Sequence, residues 1–491
     1  MSNRPDPQNP QQRVFENVKV EGNLTTGDIH QTINVQEVPS HKPEITLRWM
    51  QRNFEEVKAN AGARYTPEIH VALPEAWVFE GLGKTDAFFD RIQSLYGQLY
   101  RRSNKAKLNN TLHQRFPAIA QSLEALQQPI AALITALQQI ERDSLLEIDF
   151  QHIAELAAHA QTEEHNFYTT IWDAESSSKT DTSQAVQQTE PTSRPAKEII
   201  GGVRHNVSQL LDAVREIAEL VISASAETAN KKALLVLGEA GTGKTHLFCD
   251  VAKRRLEQEL PTIILLGQHF NQSEPWTQIL QRLQLPFRDR DEFLTALETA
   301  AQVRGKRALI LIDALNEGDG KHLWRNELPG ILRILENYPR IGLAVSCRTS
   351  YERIVIPEGL IPESMTQVNH RGFADHEYIA TATFFNHYGI ERPNIPLLVP
   401  EFSNPLFLKI FCQGLAKRKL TRVPKGLKGV TAIFNFFLDA VHDTLWRRLD
   451  YDPSANLAQQ AVNLIARRMA ETGQPWVERA DASTLVGTSI N

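Results

Sequence analysis

Residues 233–245 read ALLVLGEAGTGKT, a short apolar run followed at once by a complete GxxxxGK[ST] loop from Gly238 to Thr245. Few features constrain a fold as tightly, because such a loop works only between a strand and a helix. The run ALLVL is apolar without alternation, as expected of a strand buried on both faces. After the loop, Leu247, Phe248, Val251, Ala252 and Leu256 recur on one face of a helix. Gly238, Gly241 and Gly243 let the backbone wrap closely around phosphate groups with its N–H groups inward, and Glu239, Ala240 and Thr242 complete the loop. The helix start adds its positive dipole end, Lys244 neutralises β and γ oxygens, and the Thr245 hydroxyl ligates Mg²⁺. A chance glycine turn would account for the glycines but not for a strand and a helix in register on either side.

A second element follows 69 residues after Lys244, at ALILID (308–313) and ALNE (314–317). A buried strand ending in Asp313 puts a carboxylate at the C-terminal edge of a sheet, where P-loop NTPases hold Mg²⁺ through water. An aspartate ending a strand is by itself usually a turn former; the loop upstream turns it into a Walker B candidate. Glu317, four residues on, is placed to polarise the attacking water as catalytic base. One further strand, TIILL (262–266), lies between the two motifs, and another, IGLAVS (341–346), follows and leads into Cys347 and Arg348. Arg348 is either a sensor for the γ-phosphate or a surface arginine that begins a loop. GLGKT at 81–85 imitates half a P-loop and LLEID (145–149) imitates a Walker B, but position 78 is Val where the first glycine belongs. A turn leading into a helix is the better reading of that segment.

The remaining organisation is read from composition. At roughly 150 residues per domain, 491 residues suggest about three domains. A hydrophobic content of 42% with 25 glycines rules out wholesale disorder. Residues 1–40 form a flexible tail that begins Pro/Gln/Asn-rich and carries a short β segment over 14–38. Residues 41–173 read as a helical bundle: no glycine occurs between Gly97 and Gly201, and Ile119, Leu123, Leu126, Ile130, Leu133, Ile134, Leu137 and Ile140 recur at helical spacing. Pro117 and Pro129 mark helix starts or kinks there. The Ser/Thr/Gln-rich stretch 174–196 is a linker. Residues 197–369 alternate apolar runs with helical patterns, the signature of an α/β doubly wound parallel sheet. Residues 370–491 are helical again, a lid that runs to where a winged helix would begin. The net charge of −5 argues against a nucleic-acid coat, though not against a local basic groove. Three scattered cysteines, a polar N-terminus and the lack of a long apolar run point to a reducing cytoplasm, with no signal peptide and no membrane span.

The motifs GEAGTGKTHL, LILIDALNEG and LAVSCR resemble the STAND class of P-loop NTPases. With GQHFNQSEPW (267–276), HRGFADHEY (370–378) and EFSNPLFLKIFC (401–412) they resemble its prokaryotic antiviral AVAST (Avs) branch, related to NACHT and NB-ARC switches. The resemblance covers roughly residues 200–480 and extends to ARYTPEIHV and FEGLGKT in the helical zone. It implies a nucleotide-dependent switch in phage defence, in which ADP holds a closed monomer. A phage-protein trigger would favour exchange for ATP and homo-oligomerisation, and slow hydrolysis would reset the switch. By the same resemblance Gly238 to Thr245 bind phosphates, Thr245 and Asp313 hold Mg²⁺, and Pro405 of Asn404-Pro405-Leu406 contacts the base from the helical lid. Two departures stand out: family members continue into long C-terminal sensor repeats, and they carry an N-terminal effector. Glu56 and Lys58 are the only nuclease-like ExK pairing in the helical zone and read better as a solvated helix face. The 14–38 segment is then either an element that recruits a separate effector or a tail.

Two other classes compete with the switch. A helicase-loader type of AAA-like ATPase acting on nucleic acid draws on the basic run Lys417, Arg418, Lys419, Arg422, Lys425 and Lys428. That run has no interleaved aromatics and reads more simply as a solvated helix end, where cations complement the dipole. A scaffold with a degenerate loop is argued against by the intact Lys244, Thr245, Asp313 and Glu317.

Overall fold

Five parallel strands form one sheet in the order β2-β3-β4-β1-β5: β1 is Ala233–Gly238, β2 Thr262–Leu266, β3 Ala308–Asp313, β4 Ile341–Arg348 and β5 Thr366–Asn369. The structure is a computed structural model. It describes residues 45–490 apart from 108–109, 143–145, 182–195, 286, 362, 393–399, 425–429, 450–451 and 475–476. The 14–38 segment and most of the expected linker lie outside the described residues; residues 174–181 continue the helix Phe150–Asp181. Every residue of β1, β2 and β3 is buried, which explains why these strands lack period-two alternation. The strand inserted between the loop strand β1 and the aspartate strand β3 is β4, the arrangement expected of an ASCE-type sheet. The fifth strand escapes sequence reading because Thr-Gln-Val-Asn has no apolar run, and only its pairing with β1 makes it a strand.

Three cores are separable. The sheet core takes in the strands, Phe248 and Trp324, and also Met50, Phe54, Val57, Tyr65, Phe79 and Leu82. Residues 45–83, expected in the helical bundle, therefore pack on the sheet. Their first helix, Leu47–Ala61, covers the edge strand: Asn53 Oδ1 accepts from Ile264 N at 3.1 Å, which satisfies a backbone donor that an open edge would expose. The second core, from Phe88 to Ala229, belongs to the helices Asp86–Lys105, Pro117–Gln138, Phe150–Asp181, Ala196–Val221 and Ala224–Lys231. Pro117 starts the second of these helices and Pro129 lies inside it. The bundle is thus nested between two parts of the sheet layer. The chain enters it through the GLGKT segment, where Lys84 ends one helix in the left-handed region (φ 44°) and Thr85 caps the next. Gly81 is required there by close approach, since a Cβ would collide with the Ser225 carbonyl of a packed helix. The third core gathers Phe373, Phe384, Phe385, Phe402, Phe411 and Cys412 of the C-terminal helices together with Ile69. All three cysteines are buried and free, and among the described residues no helix is long and apolar enough to cross a membrane.

Candidate nucleotide site

The parallel register brings the ends of four strands, β1 to β4, to one edge of the sheet. Gly238 pairs with Arg348, and Leu266 with Asp313, so loop, aspartate and arginine share that edge. Gly238 must be glycine because a Cβ would sit 2.6 Å from the His370 carbonyl oxygen. Gly241 (φ 80°) and Gly243 (φ 95°) hold the left-handed conformations that curl the loop. Gly243 is the N-cap of the helix Lys244–Glu257 and supplies no side-chain acceptor, so the first amides of that helix point at the loop interior. Lys244 is buried, and its Nζ donates to the carbonyls of Gly238 at 2.6 Å and Glu239 at 2.9 Å. Burial lowers its pKa, with Asp313 acting in the opposite direction.

Asp313 is fully buried, and one carboxylate oxygen accepts from Ser346 Oγ at 2.6 Å. Ser346 also accepts from Ala314 N at 2.7 Å, so one hydroxyl orients the aspartate and fixes the turn after β3. That turn places Ala314 at φ 58°, a strained conformation for a non-glycine residue. Burial raises the pKa of Asp313, and the hydroxyls of Ser346 and Thr245 act against the rise. Its second oxygen, Oδ2, is buried with no hydrogen-bond partner. An orphaned carboxylate oxygen near a threonine hydroxyl fits a divalent cation. Among the described residues no cluster of three His, Cys, Asp or Glu exists to hold one alone. Mg²⁺ at this place would take Thr245 and Asp313 and complete its shell with phosphate and water oxygens. Ser346→Ala is expected to cost about 1–3 kcal/mol of stability, because a buried amide and a buried carboxylate oxygen both lose their partner. An unchanged denaturation midpoint would contradict that role.

Glu317 is tied down on both sides. Its Oε2 accepts from Arg64 Nη1 at 2.9 Å and its Oε1 from Arg348 Nη2 at 3.2 Å. Arg348 is positioned in turn by Asn316, whose Oδ1 accepts from Arg348 N at 2.9 Å. Arg348 is thus neither remote nor a simple loop arginine. It lines the site and pairs with the candidate base.

The C-terminal helices close the site from above. Asn404 caps the helix Pro405–Lys417, accepting from Leu406 N and Phe407 N, while its own amide donates to Ala240 O at 3.2 Å. Leu406 N donates to Gly241 O at 3.2 Å, and Pro405 lies beside Gly243 and Gly372. Any Cβ on Gly241 would meet Asn404 Oδ1 at 2.9 Å, so the loop and lid are fitted to each other. His370, buried at the end of β5, approaches Glu75 Oε1 at 3.3 Å through Nδ1. Between loop and lid lies a cavity of about 320 Å³. Its lining combines the polar Ala240 to Thr245, Asp313, Glu317 and Arg348 with the apolar Ile69, Val71, Leu73, Phe373, Phe384 and Pro405. That volume falls within the range of small-molecule sites, and a lining that combines charged and apolar groups suits a nucleotide.

The fold is that of a P-loop NTPase. The residues singled out by sequence come together: Gly238 and Glu239 form the loop, and the rest line the cavity. Sequence reading did not single out Arg64, Ser346 or His370. Ser346 follows Val345, the partner of Ile312, so only the β3–β4 register brings it next to Asp313. Arg64 stands in ARYTPEIHV, which carried a resemblance but no role, and 253 residues separate it from Glu317.

No family model and no curated protein matches the sequence. Among solved structures the chain is similar to Cdc6p from Pyrobaculum aerophilum, with 14% identity over 52% of this chain and 72% of that one, at a TM-score of 0.26. It is similar to C. elegans PCH-2, with 13% identity over 44% of this chain and 62% of that one, at 0.24. It is also similar to domain III of the Thermotoga maritima replication initiation protein DnaA, with 12% identity over 52% and 83%, at 0.18. Superpositions of this quality carry no weight for function, and the fold is read from strand order, loop and register.

Proposed function

We propose that the chain is an ATP-driven molecular switch of the STAND type: it binds ATP and ADP, hydrolyses ATP slowly, and changes its assembly state with the bound nucleotide. The observation that supports this most directly is the lid. Asn404, Pro405 and Leu406 sit on the phosphate loop itself, so a nucleotide entering the cavity must bear on the position of the C-terminal helices. In this reading the loop amides and Lys244 bind the phosphates, and the apolar wall with Pro405 takes the base. Glu317 orients and deprotonates the attacking water, and Arg348 stands at the γ-phosphate end as sensor. Thr245 and Asp313 hold Mg²⁺, which when bound neutralises charge between the β and γ phosphates. Ser346 keeps Asp313 oriented for that purpose.

The setting we infer is cytoplasmic anti-phage defence, with a phage protein or a separate effector as partner and a homo-oligomer as the active form. Of the basic run that the nucleic-acid reading draws on, Arg418 and Arg422 are engaged by acidic partners. Arg418 lies between Asp439 and Asp443 at 3.7 and 3.9 Å and over the Phe436 ring, and Arg422 bonds Glu391 at 2.6 Å. Lys425 and Lys428 lie outside the described residues.

The test is size-exclusion chromatography of the full chain with Mg²⁺, once with ADP and once with a non-hydrolysable ATP analogue. The expected result is a monomer with ADP and a larger species with the analogue once the trigger is supplied. Identical elution in both nucleotides with a trigger that elicits defence in cells would remove assembly from the switch.

A further inference from the structure

We propose that Arg64 is a positioning residue that holds Glu317 out of the hydrolytic reaction, and that Lys409 makes this hold depend on the lid. The inference rests on the reading of Glu317 as the base. Its starting point is that both oxygens of the Glu317 carboxylate are engaged, Oε2 by Arg64 at 2.9 Å and Oε1 by Arg348 at 3.2 Å. A carboxylate that must order a water and take its proton has to turn an oxygen toward that water. Charge-assisted bonds to two guanidinium groups oppose this, and the arrangement lasts only if the guanidinium groups are themselves fixed.

Arg64 is fixed. Besides Glu317 it donates from Nη2 to Gln268 Oε1 at 2.8 Å, and its Nε reaches Ala61 O at 3.5 Å. It ends the one-turn helix Gly62–Arg64, which follows the helix Leu47–Ala61 on the sheet edge. The next residue, Tyr65, is buried against Phe54 and against His246 of the phosphate-loop helix. Arg64 is therefore presented by a packed element, and a change at Glu317 alone does not release it.

The lid holds the same element from the other side. Lys409, on the helix Pro405–Lys417, donates from Nζ to Ala63 O at 2.6 Å and to Thr66 Oγ1 at 2.5 Å, gripping the chain on both sides of Arg64. The first residues of that lid helix are the ones bonded to Ala240 and Gly241. Lifting the helix breaks its contacts with the phosphate loop and with residues 63–66 in one motion. The position of the lid, the freedom of Arg64 and the availability of Glu317 form one connected chain of contacts.

Single-turnover hydrolysis of ATP by the full chain with Mg²⁺ tests this, with the ATP dissociation constant measured in parallel. Arg64→Ala is expected to raise the hydrolysis rate about three- to fivefold, the size set by a partly exposed ion pair, with affinity kept within about twofold. Lys409→Ala, which leaves Arg64 in place, is expected to move the rate in the same direction by a smaller factor. The double variant Arg64→Ala/Glu317→Gln should be as slow as Glu317→Gln alone. A slower or unchanged rate in Arg64→Ala overturns the proposal, and a fall means that Arg64 serves the reaction. An acceleration that persists in the double variant also overturns it, since Arg64 would then act without Glu317. If Glu317→Gln alone hydrolyses at the wild-type rate, the underlying reading of Glu317 fails and this inference fails with it. If Glu317→Gln is slow and Arg64→Ala is not fast, only the inference fails.

Discussion

Lys244→Ala is expected to weaken ATP binding about a hundredfold, measured by titration calorimetry with Mg²⁺ present. The side chain is buried at the mouth of the loop, and its ammonium is already fixed on the Gly238 and Glu239 carbonyls. It meets phosphate oxygens without first being ordered, so little entropy opposes the contact. Charge-assisted hydrogen bonds of this kind are worth roughly 1.5–3 kcal/mol, and the upper end corresponds to about two decades in affinity. Burial lowers the Lys244 pKa because the ammonium is partly stripped of water. Wild-type affinity in this variant would remove the phosphate-binding role from the loop.

Glu317→Gln is expected to slow hydrolysis by about a hundredfold or more while ATP affinity stays within a few-fold of wild type. General-base catalysis contributes typically about 10²–10⁴ in rate, and glutamine keeps the shape without the basic oxygen. The split between rate and affinity is the informative part. Glu317 lines the cavity paired with Arg348, whereas the loop amides and Lys244 are the groups that would bind the phosphates. Substitution there removes a contribution made in the transition state and leaves ground-state binding in place. Loss of binding together with rate would instead mean that the Arg64–Glu317–Arg348 pairs hold the cavity open. Unchanged turnover would take Glu317 out of the reaction.

Much of this site was legible because its chemistry is contiguous. A phosphate loop needs glycines, a lysine and a threonine within eight positions, flanked by a strand and a helix, and all of them stand between Ala233 and Glu257. Asp313 was legible for a similar reason, since a run buried on both faces that ends in a carboxylate is unusual enough to notice. Pro405 was reached by resemblance, as a contact to the base, and the lid places it beside Gly243. Harder cases had no periodic signal. β5 is a strand only because β1 offers it an edge to pair with. The helices over 45–83 have the same apolar spacing as the bundle helices beside them, yet they pack on the sheet. Amphipathic spacing reports that a face is buried and not what buries it.

The GLGKT segment shows the same limit from the opposite side. Its glycines imitate a phosphate loop, but Gly81 is there for a packed helix and Lys84 for a left-handed helix end. Between helices, without a strand in front, the same letters form a turn.

The local chemistry of the chain, a phosphate-binding loop on a buried strand and a second strand ending in an acid, is written in consecutive residues because backbone conformation and burial are short-range. What closes the site over that loop is different. Ser346 meets Asp313 only through the pairing of β3 with β4, and Arg64, His370 and Lys409 acquire their partners only when distant parts of the chain meet at one sheet edge. Hydrogen bonds and ion pairs act over a few ångströms whatever the separation in sequence, so the packing of the three cores decided which charges meet.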